Sequence, residues 1–236
     1  MAKQFTRTAI LLGSEQLVKL ANKHVLIAGV GGVGGYAAEA IARAGIGKIT
    51  LIDHDVVDVT NINRQLIANL SNVGKSKVAE FALRIQQINP DCQLKIVATF
   101  IDKDNLSQLL MDTPDYVIDC IDTIESKLSL IEYCLKNKLK IVASMGAGNR
   151  IDVSKAKIAD ISKTKVCALA RNLRLRLRKA GITKGLKVVY SEEEPFNKPQ
   201  LPESGGRPIN GTISYLPALF GIMLAGYVMK DLITNE

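Results

Sequence analysis

The sequence predicts an α/β fold: a Rossmann-like, mostly parallel sheet with helices on both faces, extended by a mixed C-terminal portion. Three observations predict it. Short β-branched apolar runs alternate with helix-period segments as far as Ser144, the pattern of strands joined by crossover helices. The first run leads into Gly29-x-Gly31-x-x-Gly34, and the second ends in Asp53.

Val25 to Ala28 reads as a buried strand turning directly into a helix that carries Ala37, Ala38, Ala40, Ile41 and Ala44. Gly29 permits the tight turn, Gly31 lets backbone N–H groups approach a phosphate, and Gly34 lets helix and strand close up, with Gly32 in the same loop. Lys48 to Ile52 is the second strand. Asp53 lies 19 positions after Gly34, close to the roughly 20-residue spacing of an acid that binds ribose hydroxyls. An adenosine is therefore the expected ligand half, and NAD is the commonest owner of this fingerprint.

Asp58, Asn61, Arg64 and Gln65 form a polar cluster in an expected loop and short helix on the phosphate side. Hydride transfer builds no phosphate charge and has no general use for a guanidinium there, whereas nucleotidyl transfer does. A surface pairing of Arg64 with Asp58 is the bland alternative. Helices are expected near Ser76 to Ile88 and Glu125 to Lys138, with an apolar strand from Tyr116 to Cys120 between them. Gly74-Lys75-Ser76 is not a P-loop, because Asn69 occupies the position of the required glycine. Asp122-x-x-Glu125 follows the strand and fits a helix capping box. After Gly146-Ala147-Gly148 the regularity fades, and Ser191 to Asn210 is the least regular stretch.

At 236 residues and 47% hydrophobic composition, the chain is long enough for one full core and is read as a single domain. Residues 1–150 would form a nucleotide-binding core and 151–236 a basic segment, an acceptor-side loop and an apolar helix. Four cysteines, Cys92, Cys120, Cys134 and Cys167, form no C-x-x-C pair and no secretory signal precedes them, so a reduced cytoplasm is expected. His24 and His54 are too few for a histidine zinc site, and His54 reads as a polar surface neighbour. Cys167, among Val166, Ala168 and Leu169, reads as a packed thiol rather than a nucleophile.

Lys163 to Lys187 holds nine Lys or Arg and no acid. With Ala168 to Ala180 helical, Arg171, Arg174 and Arg178 share one face and Leu169, Leu173 and Leu177 another. Such a stripe, with Lys165 and Lys179 beside it, suits a phosphate backbone; a solvated face or an anionic-lipid contact are the alternatives. No aromatic lies there, so RNA binding would be led by charge and shape. Ile213 to Met229 is uncharged, apolar and 17 residues long, with Pro217, Gly221 and Gly226 interrupting it. That length sits at the low edge of the roughly 17–25 residues that span a bilayer. A buried helix with a subunit contact is favoured over peripheral membrane association.

The run from Leu51 to Gln65, followed by Gly74-Lys75-Ser76-Lys77 and Asn89-Pro90, resembles the ubiquitin-activating and sulfur-carrier-activating adenylyltransferases, the ThiF/MoeB-like superfamily. Within it the chain is most similar to the tRNA threonylcarbamoyladenosine dehydratases, from about Phe5 onward. The resemblance implies ATP as cofactor, held by Gly29, Gly31, Gly32, Gly34, Asp53, Asp55, Asn61, Arg64, Gln65, Lys77 and Asp122. It implies catalytic roles for Arg64 and Lys77 on the phosphates, for Asp122 as the residue positioning Mg²⁺, and for Arg7 reaching across a homodimer. From the residues alone, a solvated helical lysine is the rival reading of Lys77, and a basic residue in a flexible terminus that of Arg7. Many sulfur-carrier-activating relatives carry two zinc-binding C-x-x-C pairs, and this chain departs from them.

The function this resemblance implies is ATP-dependent tRNA modification. AMP passes to the threonylcarbamoyladenosine carboxylate, and the ureido group then expels AMP to close a five-membered ring. Lys165, Arg171, Arg174, Arg178 and Lys179 would bind the tRNA, with a sulfur-relay protein as a candidate partner. Three alternatives remain at this stage: adenylation of a ubiquitin-like sulfur carrier's C-terminus, an NAD-dependent dehydrogenase, and a non-catalytic RNA-binding module.

Overall fold

The computed structural model describes residues 3–201 and 209–234. Seven strands form one sheet in the order β3-β2-β1-β4-β5-β7-β6, with β1 at His24–Ala28, β2 at Lys48–Ile52, β3 at Gln93–Val97, β4 at Tyr116–Asp119, β5 at Ile141–Ser144, β6 at Ala156–Asp160 and β7 at Lys187–Ser191. Every pairing is parallel except β6 with β7. The chain reverses its order of addition between β1 and β4, and ligands of open α/β sheets bind at that switch point, beyond the strands' carboxyl ends. The first two strands match their predicted bounds to within one residue, and the third predicted strand stops at Asp119 rather than Cys120.

Eight helices are described: α1 Thr6–Leu12, α2 Ser14–Ala21, α3 Gly34–Arg43, α4 Lys77–Ile88, α5 Leu106–Leu109, α6 Ile124–Lys136, α7 Ala168–Lys179 and α8 Tyr215–Thr234. Alternation along β1 explains the layering. Val25 and Ile27 join a core with α3, α4 and α8, while Leu26 and Ala28 join a second core with α5, α6 and α7. A central parallel strand buried on both faces is a near-continuous apolar run, as Val25 to Ala28 is, and the buried His24 at its start is partnered by the Thr50 hydroxyl at 2.9 Å.

α3 is held to α4 by Glu39, which accepts from Arg84 Nε at 2.6 Å, Arg84 Nη2 at 2.9 Å and Arg43 Nε at 2.8 Å. Burial pushes the Glu39 carboxyl up, but the hydrogen bonds from Arg84 and Arg43 outweigh it and hold it below the usual range. Its stabilisation is therefore complete above the ordinary carboxylate range and lost as pH falls through the depressed value. Glu39→Gln is expected to lower unfolding free energy by about 1.5–3 kcal/mol at neutral pH. Urea titrations at pH 7 and pH 3 should show that deficit shrinking on acidification.

α8 corrects one expectation. Pro217, Gly221 and Gly226 do not interrupt it, and it runs unbroken for 20 residues. Pro217 sits in the first turn, where a missing N–H breaks no helical bond. Gly221 lies against α3, where an added Cβ would come within 2.3 Å of the Val33 carbonyl. The helix is long and apolar enough to cross a membrane, yet Leu216, Phe220, Leu224, Val228 and Leu232 are buried in the core at four-residue spacing. It is a core helix of this domain. Ile222 on its other side is half exposed.

Of the stretch expected to be irregular, Ser191 ends β7, Gln200 and Ile209 form an isolated bridge, and residues 202–208 lie outside the described residues.

Candidate nucleotide site

A cleft of about 580 Å³ opens beyond the carboxyl ends of β1, β2, β4 and β5, where the strand order reverses. Its floor is the glycine turn. Gly29 has φ +85°, and a Cβ there would lie 2.9 Å from the Cys120 carbonyl oxygen, so strand, turn and neighbouring strand close up only around glycine. Gly34 is packed beneath the turn rather than exposed in it. A Cβ on Gly34 would meet the Gly29 oxygen at 1.8 Å. Gly31 and Gly32 line the cleft itself.

Asp53 leaves β2 into the cleft wall. Its Oδ2 accepts from the Val30 N–H at 2.8 Å and its Oδ1 from the Asp55 N–H at 2.9 Å. The carboxylate thus fixes the glycine turn relative to β2, with lone pairs remaining for a ribose. His54 is exposed, as its surface reading requires, stands edge-on to Phe100 at 5.1 Å and lines the cleft.

The polar cluster divides into a scaffold and a working set. Asp58 caps the short 3₁₀ turn Val59–Asn61, and Asn61 Oδ1 accepts from the Asp58 N–H in return. Asp58 is therefore occupied by the backbone and does not pair with Arg64. Arg64 Nη1 instead donates to the Thr60 carbonyl at 2.8 Å and to Asn63 Oδ1 at 3.1 Å, and no carboxylate pairs with it among the described residues. The guanidinium is anchored on one side and lines the cleft. Gln65 is buried, and its Oε1 is an orphaned acceptor; the adjacent amide nitrogen is the nearest group to a Cβ built on Gly31, at 3.7 Å. A buried acceptor without a partner is unfavourable by about 1–3 kcal/mol, which a hydroxyl or N–H donor on a ligand would relieve.

Lys77 is not a solvated lysine. It opens α4 with a side chain only 6% exposed, and its ammonium lies 2.7 Å from Asp55 Oδ2, placing a buried cation and its counter-ion in the cleft wall. Asp122 is exposed at the end of β4 and also lines the cleft, but the expected capping box with Glu125 does not form. Thr123 is the N-cap of α6 and makes no side-chain cap, while Glu125 pairs with Arg176. Asp53, His54 and Asp55 bring three donor atoms within 4.8 Å of one another, in the same wall. Arg7 lies on α1, exposed and away from this cleft. Within this chain it touches none of the site.

Sequence reasoning missed several participants. Thr99, Phe100 and Ile101, beyond β3, and the Ser144–Gly148 loop, beyond β5, complete the walls. Arg150 donates to the Gly146 and Gly148 carbonyls at 3.2 and 3.0 Å and to the Glu193 carbonyl at 3.2 Å, holding that loop from behind. Beneath the β4 end, Lys127 Nζ lies 2.6 Å from Asp119 Oδ2, both side chains fully buried. The only sequence signal for that pair was an acid inside an apolar strand. Burial pushes the Cys120 thiol far up and that of Cys134 up to about 12, and Cys167 is buried at the start of α7, so these cysteines are packing residues.

The basic segment departs from expectation at one residue. Arg171 and Arg178 are exposed on α7, as are Lys165 and Lys179. Arg174 is half-buried and spent on the fold, its Nη1 donating to Thr164 Oγ1 at 2.5 Å and to the Thr164 and Ile161 carbonyls at 3.1 and 3.3 Å. Leu173 and Leu177 are core residues, whereas Leu169 lies at the cleft edge.

A glycine turn at a topological switch point, a carboxylate at the end of the second strand, an orphaned buried acceptor and two cations in the cleft wall make a cleft of the nucleotide-binding α/β class. The chain belongs to the ThiF family, whose model matches residues 5–236. It is 40% identical over 252 residues to the tRNA threonylcarbamoyladenosine dehydratase of Bacillus subtilis, an alignment spanning 100% of this chain and 96% of that protein. Among solved structures, the Escherichia coli tRNA N6-threonylcarbamoyladenosine dehydratase TcdA in complex with AMP superposes with a TM-score of 0.90 at 40% identity, covering 98% of this chain and 94% of that one. The same protein in complex with ATP gives 0.88 at 38% identity, with the same coverage.

Proposed function

We propose that this chain is an ATP-dependent tRNA threonylcarbamoyladenosine dehydratase: it adenylates the free carboxylate of the modified nucleoside and closes a ring with net loss of water. The observation that carries the reading is the convergence of Arg64 and Lys77 on the cleft of the glycine turn, in a chain similar over its whole length to dehydratases solved with AMP and with ATP. An NAD enzyme has no general use for those cations.

A carboxylate is a poor electrophile because its leaving group would be oxide. Its oxygen attacks the α-phosphorus of ATP, and the bond to pyrophosphate breaks. Arg64 faces the charge that gathers on the departing diphosphate, and Lys77, released from Asp55 in part, shares it. Asp53 takes the ribose and Gln65 Oε1 accepts from a ligand donor. Asp122 would hold Mg²⁺, whose positive charge would offset that of the phosphates. The ureido group then attacks the activated carbonyl, loses a proton and expels AMP. Intramolecular geometry can supply up to roughly 7–11 kcal/mol of the barrier, so no covalent enzyme intermediate is required.

The tRNA lies along Arg171, Arg178, Lys165 and Lys179, with Arg174 omitted from the set. A homodimer would bring Arg7 of each subunit to the other's cleft. A sulfur-relay partner and a cytoplasmic setting complete the reading, with α8 serving the core rather than a membrane. Incubation with ATP and tRNA bearing threonylcarbamoyladenosine is expected to yield AMP and a nucleoside lighter by one water, read by mass spectrometry. Absence of both products rejects the reading. ATP–pyrophosphate exchange that depends on a ubiquitin-like carrier instead would establish the sulfur-carrier alternative.

A further inference from the structure

Beside the nucleotide cleft lies a second cavity of about 320 Å³. The two share a wall. Thr212 lines both, and Asn149 on the second side donates through Nδ2 to Asn210 Oδ1 on the first at 3.0 Å. Asn149 has φ +57°, and this left-handed turn is held by its N–H to the Gly211 carbonyl at 2.7 Å. Its own carbonyl accepts the Phe196 N–H, also at 2.7 Å. The segment carrying Phe196 is thereby fixed to the loop that ends the cleft.

The lining has an unusual makeup. Phe196 is 66% exposed and lines the cavity, so its ring face is open to stacking by a ligand there. Around it stand the amides of Asn149, Asn197 and Gln200 and the exposed ammonium of Lys198. Among the described residues no carboxylate lines this cavity. Glu193, close by, is turned onto the backbone N–H groups of Ile151 and Asp152 at 2.9–3.0 Å. Arg150 also lines the cavity but is buried and donates to backbone carbonyls, which leaves Lys198 as the exposed cation of the lining. One aromatic face, several amides and one exposed cation are groups that can hold an unpaired nucleotide: the ring stacks the base, the amides meet its edge, and the cation meets its phosphate.

We infer that this second cavity receives the nucleotide next to the modified adenosine in the RNA chain, with Phe196 stacking its base and Lys198 contacting its phosphate. The inference rests on the dehydratase reading. α7 borders the nucleotide cleft through Leu169 and the second cavity borders it through Thr212. A strand that presents its modified base to the cleft therefore passes from the basic helix to Phe196, and the adjoining base falls over the shared wall. RNA recognition then includes a stacking contact that the composition of residues 163–187 does not contain. Stacking on an aromatic is sequence-tolerant, so the subsite holds the strand splayed without restricting which base follows.

The test uses the full-length protein and a synthetic anticodon stem-loop carrying threonylcarbamoyladenosine, intact or with an abasic residue at each neighbouring position in turn. Phe196→Ala is expected to raise the half-saturating RNA concentration about 5- to 150-fold, with ATP affinity unchanged and the loss recovered by Phe196→Trp. One of the two abasic probes should weaken the parent protein by a similar factor and leave Phe196→Ala no weaker than it already is, the signature of one shared contact. Lys198→Ala should reduce the slope of log affinity against log salt by about 0.7, as for one single-strand phosphate. Equal RNA affinity for the parent and Phe196→Ala, or losses that multiply at both abasic positions, overturns the inference while leaving the dehydratase reading intact. A parent protein that neither binds nor dehydrates the stem-loop overturns both.

Discussion

Arg64→Ala is expected to lower the rate of pyrophosphate release in the presence of ATP and modified tRNA by about 10²–10³-fold, the usual loss when one preorganised donor to developing charge is removed. The side chain is prepared for that role. Its Nη1 is tied to the Thr60 carbonyl and Asn63 Oδ1, and Asn63 is itself tied to the Thr212 carbonyl at 2.9 Å. The fork is held before the nucleotide arrives, and little reorganisation remains for the transition state. Because the charge it meets grows during reaction, the loss should fall on the catalytic rate more than on ATP affinity. Arg64→Lys should recover only part of it, since an ammonium cannot keep the two anchoring bonds while facing the phosphates. Single-turnover pyrophosphate release measures both quantities. An alanine variant with the parent rate would remove Arg64 from the chemistry and revive the passive RNA-binding reading.

The parts of this molecule that sequence reasoning reached are those written in local order. A strand that must be apolar on both faces, a turn that admits only glycine and an acid at the next strand's end are each specified within a few residues. Their placement in one cleft follows from the parallel topology. The parts it did not reach depend on partners far along the chain. Arg174 has the same helical phase as Arg171 and Arg178, and only the fold brings the Thr164 hydroxyl to its guanidinium. Asp122-x-x-Glu125 satisfies the spacing of a capping box, yet Arg176, 51 residues beyond Glu125, takes that carboxylate instead. Gly221 reads as an interruption in an apolar run, and its reason is the α3 backbone pressed against it. For Lys77 a solvated side chain stays open as the alternative because nothing nearby in sequence announces burial; its counter-ion, Asp55, is 22 residues earlier. Phe196 sits in a stretch legible only as irregular, and its position over a cavity is a property of the loop returning from Gly148.

The buried pair under β4 makes the largest stability prediction. Lys127 and Asp119 are both fully buried, and Asp119 Oδ1 also accepts the Ile121 N–H at 3.0 Å, so the pair suspends the segment that presents Asp122 to the cleft. Burial pushes the Asp119 carboxyl above the usual carboxylate range although Lys127 pulls the other way. Lys127→Met leaves that carboxylate without its counter-charge, and removing one partner of a buried ion pair costs about 3–5 kcal/mol. A carboxyl whose folded pKa is raised is penalised only where it must ionise, so the deficit is complete at neutral pH and shrinks as pH falls toward the unfolded value. The double variant Asp119→Asn with Lys127→Met carries no buried charge and keeps an oxygen for the Ile121 N–H. It should stand well above the single variant in urea unfolding at pH 7, because replacing a whole buried pair is often neutral. If the double variant unfolds as early as Lys127→Met, the loss is one of packing volume and not of an orphaned charge. If it regains stability without regaining the parent rate of AMP formation, the pair serves the site by fixing the Cys120–Thr123 turn as well as the fold.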